Sequence, residues 1–337
     1  MAKSYKTISN ISDLYVELTD VEDVGYGEVG TIDLEDGEER AFQVIDVDRE
    51  RAVLQLFDNA MGISPLTSKV RFSGKKMSLG VNEDILSRVF DGIGRPVDGA
   101  PELLADKYLS VEGAAVNPMK RELPMFFIDT GISGIDECCP IARGQSMAIL
   151  ADSGIAHLRV ASYIAEHSKM TLVFAALGTV SEETDLFLDN LRKSGAMDDS
   201  VVFLNFASDS VLERLAAPKF AMTCAEYLAF EKDRDVLVIL SDMASYADAY
   251  HQSDSAEQES LYSAFASIVE RGGRRKDASG SITVLPMMTI CDDEKTVSAA
   301  EDLCRATEGR MVLSKQLYDR GIYPPVDTSL SFSHYVR

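Results

Sequence analysis

The chain has no tryptophan, only four histidines and five cysteines, and its basic residues are scarce beside its acidic ones. Each shortage removes a class of function. The cysteines are Cys138, Cys139, Cys224, Cys291 and Cys304; no CxxC occurs, and adjacent Cys138 and Cys139 cannot form an ordinary bridge. With so few histidines beside them, these spacings argue against a structural zinc site and for reduced thiols in a cytoplasmic protein. Lys and Arg total 33 against 55 Asp and Glu, a formal net charge of −22. Such a field repels phosphate backbones and anionic membranes, so neither is expected as the main partner, whereas basic protein surfaces are favoured. Long apolar runs are missing too: stretches such as Val236-Leu237-Val238-Ile239-Leu240 fall far short of a membrane span. The opening MAKSYKTISNISDLY lacks the apolar segment of a secretory signal. No direct membrane insertion is expected.

What is present is an ordinary globular composition, 46% hydrophobic and 26% charged, over 337 residues. That length suits two domains and a substantial core. Residues 1–73 read as short strands. Phe42, Val44, Ile45 and Val47 form one apolar run, and Ala52, Val53, Leu54, Leu56 and Phe57 form the next, with Asp36-Gly37 as a hairpin signal. Short strands with close turns predict a small β-barrel. Residues 74–130 are rich in Gly and Pro but carry Ile85, Leu86, Val89 and Phe90, which predicts ordered crossover rather than a loose linker.

From about residue 131 strand-length apolar runs alternate with helical patterns. Strands are expected at 146–150, 171–177, 201–206, 235–240 and 281–290, and a helix over 155–167. Thr179 is expected to cap a helix, with Glu182 completing a capping box. A long helix through Tyr227 should bend or break near Pro218. Apolar strands alternating with helices predict a mainly parallel α/β sheet over 74–337, with ligands at the carboxyl ends of its strands.

Two of those strand ends carry candidate site residues. The first runs into Ala151-Asp152-Ser153-Gly154-Ile155-Ala156-His157 before a helix, the place of a phosphate-cradling loop. A working loop needs glycines, a Lys for the β- and γ-phosphates and a Ser or Thr for magnesium. Here there is one glycine, Gly154, no Lys, and the acidic Asp152. A carboxylate about 4 Å from a phosphate oxygen costs about 4 kcal/mol at an effective dielectric of 20. The second is Asp242, after Val236–Ser241, shaped like a magnesium-holding strand end but equally suited to capping the next helix. His157, His167, His251 and His334 read as surface or cap residues, and Arg271, Arg274, Arg275 and Lys276 as a solvated loop.

The sequence resembles the B subunit, the non-catalytic nucleotide-binding-fold subunit, of V-type and archaeal-type rotary ATPases. The likeness rests on Tyr5-Lys6-Thr7-Ile8, on Arg88 to Pro96 against RVFxGxGxP, and on Thr130 to Asp136 against TGISAID followed by Arg143-Gly144-Gln145. It continues through Glu213-Arg214, Ala225 to Glu231, Val236 to Asp242 and Gly321 to Pro325. The resemblance implies an N-terminal β-barrel, a RecA-like, P-loop-NTPase-type α/β domain and a C-terminal helical bundle; the sequence stops where that bundle is expected. It implies a ring of alternating A and B subunits in which A hydrolyses ATP and B does not. Expected partners are thus the catalytic A subunit and the stalk subunits, and the expected location is cytoplasmic and peripheral to the membrane. At most weak ATP or ADP binding at an A/B interface is implied, through the vestigial residues Asp152, Ser153, Gly154, His157 and Asp242.

Departures from the family pattern are pointed. The family's loop resembles SGSGLPH; here Asp152 replaces a glycine and Ala156 a proline. The family's SLSR, whose arginine reaches a neighbouring catalytic site, reads Ser329-Leu330-Ser331-Phe332, and Arg337 is a poor substitute. Between Tyr250 and Leu261 the Gly/Pro/Arg-rich central loop is replaced by His251 to Ser260, and the acidic segment before a His-Pro is reduced to Asp292 to Val297. Three functions compete: a non-catalytic B-type ring subunit contributing to ATP-coupled ion transport, with no catalytic residue of its own; a B-derived regulatory or interaction protein outside any motor; and an independent RecA-like ATPase, which the missing lysine and the net charge disfavour.

Overall fold

The structure, a computed structural model, describes residues 3–12, 14–253, 260–291 and 293–335. Residues 254–259 of the replaced central loop, Asp292 and Arg337 lie outside the described residues. The chain forms two compact units, one built on the residues up to Ser78, the other on Leu79–Leu109, Gly113–Ser208 and Arg214–Arg337.

The first unit is a seven-stranded antiparallel sheet. Its strands are β1 (Lys3–Tyr5), β2 (Ile8–Ile11), β3 (Tyr15–Leu18), β4 (Glu28–Asp33), β5 (Glu39–Asp48), β6 (Arg51–Leu56) and β7 (Lys69–Lys76). Their spatial order is β1-β7-β4-β5-β6-β3-β2. Among the described residues no ladder joins β1 to β2, so the expected barrel is realised as a half-barrel. Asp36-Gly37 joins β4 to β5 as read, with Asp33 opposite Glu39. Alternation places Val16, Leu18, Ile32, Phe42, Leu54, Val70 and Phe72 in one core, where the Phe42 and Phe72 rings meet edge to face at 5.2 Å.

The second unit opens with β8 (Ser78–Val81), β9 (Val89–Asp91), β10 (Lys107–Ser110), β11 (Arg121–Glu122) and the short α1 (Ser133–Asp136). The alternating part follows: β12 (Ala148–Asp152), α2 (His157–Ser168), β13 (Thr171–Ala175), α3 (Ser181–Ser194), β14 (Ser200–Leu204), α4 (Val211–Phe230), β15 (Asp235–Leu240) and α5 (Met243–Gln252). It ends with α6 (Leu261–Val269), β16 (Gly273–Arg275), β17 (Ser281–Ile290), α7 (Glu294–Ala306), β18 (Gly309–Leu313), α8 (Lys315–Asp319) and β19 (Phe332–Ser333). The sheet order is β19-β18-β12-β17-β15-β13-β14-β9, parallel from β18 to β9, with β19 antiparallel at one edge. Strands such as β13 are buried at every residue, which is why they read as continuous apolar runs rather than alternation.

Three local expectations are corrected. α4 runs unbroken through Pro218 to Phe230, so the break that Pro218 suggested does not occur. Its missing hydrogen bond costs about 3 kcal/mol, but more than half of the helix is buried, and that packing holds it together. Thr179 does not cap α3. A backbone bond to Asn205 keeps it extended, its hydroxyl pairs with Thr184 Oγ1 at 2.8 Å, and Val180 takes the N-cap position without a side-chain bond. β12 lies two residues later than expected, over Ala148–Asp152, with Ser146 reduced to an isolated bridge to Val284.

Candidate functional site

Because β12, β17 and β15 are parallel neighbours, their carboxyl ends open on the same edge of the sheet. There the turn after β12, the start of α2 and the ends of β13, β15 and β17 enclose a cleft of about 500 Å³. Its lining comes from residues 154–159, residues 178–180, Glu183, Leu186, Asp242 and Thr289. Of the residues singled out in the sequence, Gly154, His157 and Asp242 meet here.

The turn stands between β12 and α2, in the place of a phosphate loop, but the Ile155 N–H donates to the Asp152 carbonyl and the His157 N–H to the Ile155 carbonyl. Gly154 has φ +88° and open space where a side chain would project, so the backbone is free to approach a ligand. The chemistry has been reassigned. Asp152 turns away and accepts a hydrogen bond from the Lys315 N–H at 2.8 Å, tying the turn to the first residue of α8. Ser153 is exposed. His157 opens α2, where a phosphate-loop lysine would stand, and the next residue is the buried Leu158, which has no hydroxyl to offer a magnesium ion.

The imidazole of His157 is engaged on both nitrogens. Nε2 lies 3.0 Å from the Ser241 carbonyl, which can only accept, so Nε2 carries a proton; Nδ1 lies 3.4 Å from Thr289 Oγ1. Sequence reading placed this residue at the surface or in a cap. The structure makes it a partly buried bridge from the head of α2 to the ends of β15 and β17. Asp242 is the N-cap of α5, its carboxylate accepting from the Ala244 N–H at 3.0 Å and from Ser245 Oγ at 2.7 Å. Burial pushes its carboxyl above the usual range, against the opposing pull of Ser245 and of nearby His157.

The cleft's fixed charges are two carboxylates, Glu183 and Asp242, against one guanidinium, Arg159. Arg159 lies over the Tyr323 ring at 5.2 Å from its centroid. Thr289, Ser241, Glu183 and Lys315 were invisible to sequence reading, because only the parallel crossovers bring β17, α3 and α8 to this edge. Among the described residues no cluster of His, Cys, Asp or Glu could hold a metal ion.

Two other sequence features fall elsewhere. Phe332 lies on β19 opposite Arg310 of β18; its ring is 43% exposed and sits 5.3 Å from the Arg310 guanidinium. It does not line the cleft. The basic stretch is not a solvated loop. Arg271 is buried, with Nε and Nη2 each 2.8 Å from a Glu226 oxygen and Nη2 also 2.8 Å from Thr223 Oγ1. Arg274 and Arg275 lie on β16, paired to Glu122 and Asp277.

A mostly parallel α/β sheet with a strand–turn–helix cleft at its carboxyl edge is the architecture of an α/β nucleotide-binding domain. Residues 131–333, more than half of the chain, match the sequence model of the ATP synthase alpha/beta family, nucleotide-binding domain. The chain belongs to that family. No helix among the described residues is long and apolar enough to cross a membrane.

Proposed function

We propose that this chain is a non-catalytic, B-type subunit of a V- or archaeal-type rotary ATPase or ATP synthase. Its RecA-like domain would complete a ring with the catalytic A subunit, at the cytoplasmic face of the membrane and peripheral to it. In that place it contributes to ATP-coupled ion transport without breaking a bond itself. The observation that carries this reading is the cleft. Its turn occupies the place of a phosphate loop, but His157 and Leu158 stand where lysine and a hydroxyl are needed, and its carboxylates outnumber its one guanidinium. Any ATP or ADP held there is bound weakly and depends on groups from the neighbouring subunit.

The test is coexpression with the catalytic A subunit of the same source. A complex should form, ATP turnover should belong to the complex alone, and the isolated chain should show none. Failure to associate under assembly conditions overturns the proposal. Turnover by the isolated chain that disappears in Asp242→Ala would make it an ATPase instead. Exposed Phe332 supports a second reading, a B-derived regulatory or interaction protein, since a phenyl ring cannot stabilise charge in a neighbour's site. A full-length B gene beside this one, with the A subunit preferring its product, would favour that reading.

A further inference from the structure

The second unit carries a surface that the cleft does not use. Within nine consecutive residues, Met119, Leu123, Met125, Phe126 and Phe127 are all exposed, Met119 by 80% and Met125 by 72%. Scattered exposed apolar side chains are ordinary; a run of five large ones is not. The segment is held in place rather than loose. β11 pairs with β16 in antiparallel register, Arg121 opposite Arg275 and Glu122 opposite Arg274. Phe127 bridges to Ala142, and the Phe126 carbonyl accepts from the Arg143 N–H. β11 has no ladder on its other side among the described residues, so it is an edge.

The rim of this strip is cationic in a chain whose net charge is −22. Lys276 Nζ donates to the Met119 carbonyl at 3.0 Å, and the Arg274 guanidinium lies 6.0 Å from the Phe126 ring centroid. Lys120, Arg121 and Arg275 complete the rim; Glu122, Asp277 and Glu308 pair with them and with Arg274, so five cations stand against three carboxylates and the rim keeps a positive excess. Asp277 lies between Arg275 and Lys120, whose hydrogen bonds and then charges hold its carboxyl well below the usual range. An apolar centre within a basic rim fits a surface of the opposite pattern.

We infer that the 119–127 strip, with β16 beside it, is a docking surface for an acidic segment of another protein chain that presents apolar side chains. Pairing the strip with itself in a second copy would set these cations against each other. A nucleic acid would leave Met119, Leu123 and Met125 without an apolar partner. The inference goes beyond the ring reading, whose supporting observation is the cleft.

The test uses the full chain and two short fluorescent peptides, one alternating Leu and Phe with Asp and Glu, the other with Lys in place of the acids. Fluorescence anisotropy should show binding of the acidic peptide only, weakening as ionic strength rises from about 0.05 to about 0.5 M. The exposed-residue variants Met125→Ser/Phe126→Ser and Lys120→Glu/Lys276→Glu should each lower its affinity about tenfold or more, with thermal unfolding unchanged as the check on folding. Equal binding of both peptides, or no loss in Met125→Ser/Phe126→Ser, overturns the inference. So does tighter binding of a single-stranded oligonucleotide, or self-association in light scattering that Met125→Ser/Phe126→Ser abolishes.

Discussion

The cleft at the carboxyl ends of β12 and β15 and the buried node around Arg271 treat charge in opposite ways. At the node a guanidinium, 3% exposed at its side chain, meets a carboxylate in bidentate geometry, and a threonine hydroxyl accepts a further hydrogen bond from it. In the cleft, where the fold invites an anion, the loop's own carboxylate has turned to α8, the imidazole spans a carbonyl and a hydroxyl, and the one guanidinium rests on a tyrosine. The lesson is that a nucleotide-binding fold can be stable while its polar groups satisfy one another rather than a ligand. Folding charge and functional charge are separable in this molecule.

The comparison breaks most readily at the node. Arg271→Ala strands Glu226 with its partner gone, and loss of one member of a buried pair costs about 3 to 5 kcal/mol. Urea unfolding should register that loss, and the double change Arg271→Met/Glu226→Gln should recover part of it; a loss below about 1 kcal/mol would show that the pair is dispensable. The cleft should respond in function rather than stability. His157→Lys restores a cation at the head of α2, and calorimetric ATP affinity should rise about tenfold or more. No gain would mean that shape, and not only charge, has been lost.

The smallest effect concerns Asp242. Burial holds its carboxyl above the ordinary range, so the folded chain retains this proton to higher pH than the unfolded chain. The stability it contributes is complete below the unfolded value of about 3.9 and is lost as pH rises through the folded value. Asp242→Asn keeps an oxygen for the Ala244 N–H and the Ser245 hydroxyl without the charge. Unfolding midpoints measured from about pH 4 to about pH 8 should therefore move in favour of Asn as pH rises. Parallel curves for the two proteins would exclude a buried charge at the cap.

Much of the α/β architecture was legible because both-faces-buried strands leave a blunt signature: β15 and β17 have the ends their apolar runs predicted. α4 misled because Pro218 is a local cue, whereas the burial that overrides it is tertiary. Thr179 misled because its pairing partner, Asn205, lies on a neighbouring segment rather than on the helix it precedes. Of the residues the sequence singled out, Gly154, His157 and Asp242 line the cleft while Asp152 turns to α8. The sequence could not show where their polar atoms had gone, since Lys315, Ser241 and Thr289 belong to elements distant in sequence.

Phe332 illustrates how an exposed aromatic ring is held by its cross-strand neighbour. The residue directly across from it on β18 is Arg310, whose guanidinium covers the phenyl ring while its Nε donates to the Leu330 carbonyl. Arginine installed at 332 would face arginine at 310 across an antiparallel pair, where like charges repel. A guanidinium at 332 would therefore be accommodated better beside a neutral residue at 310, a position that takes no part in the cleft.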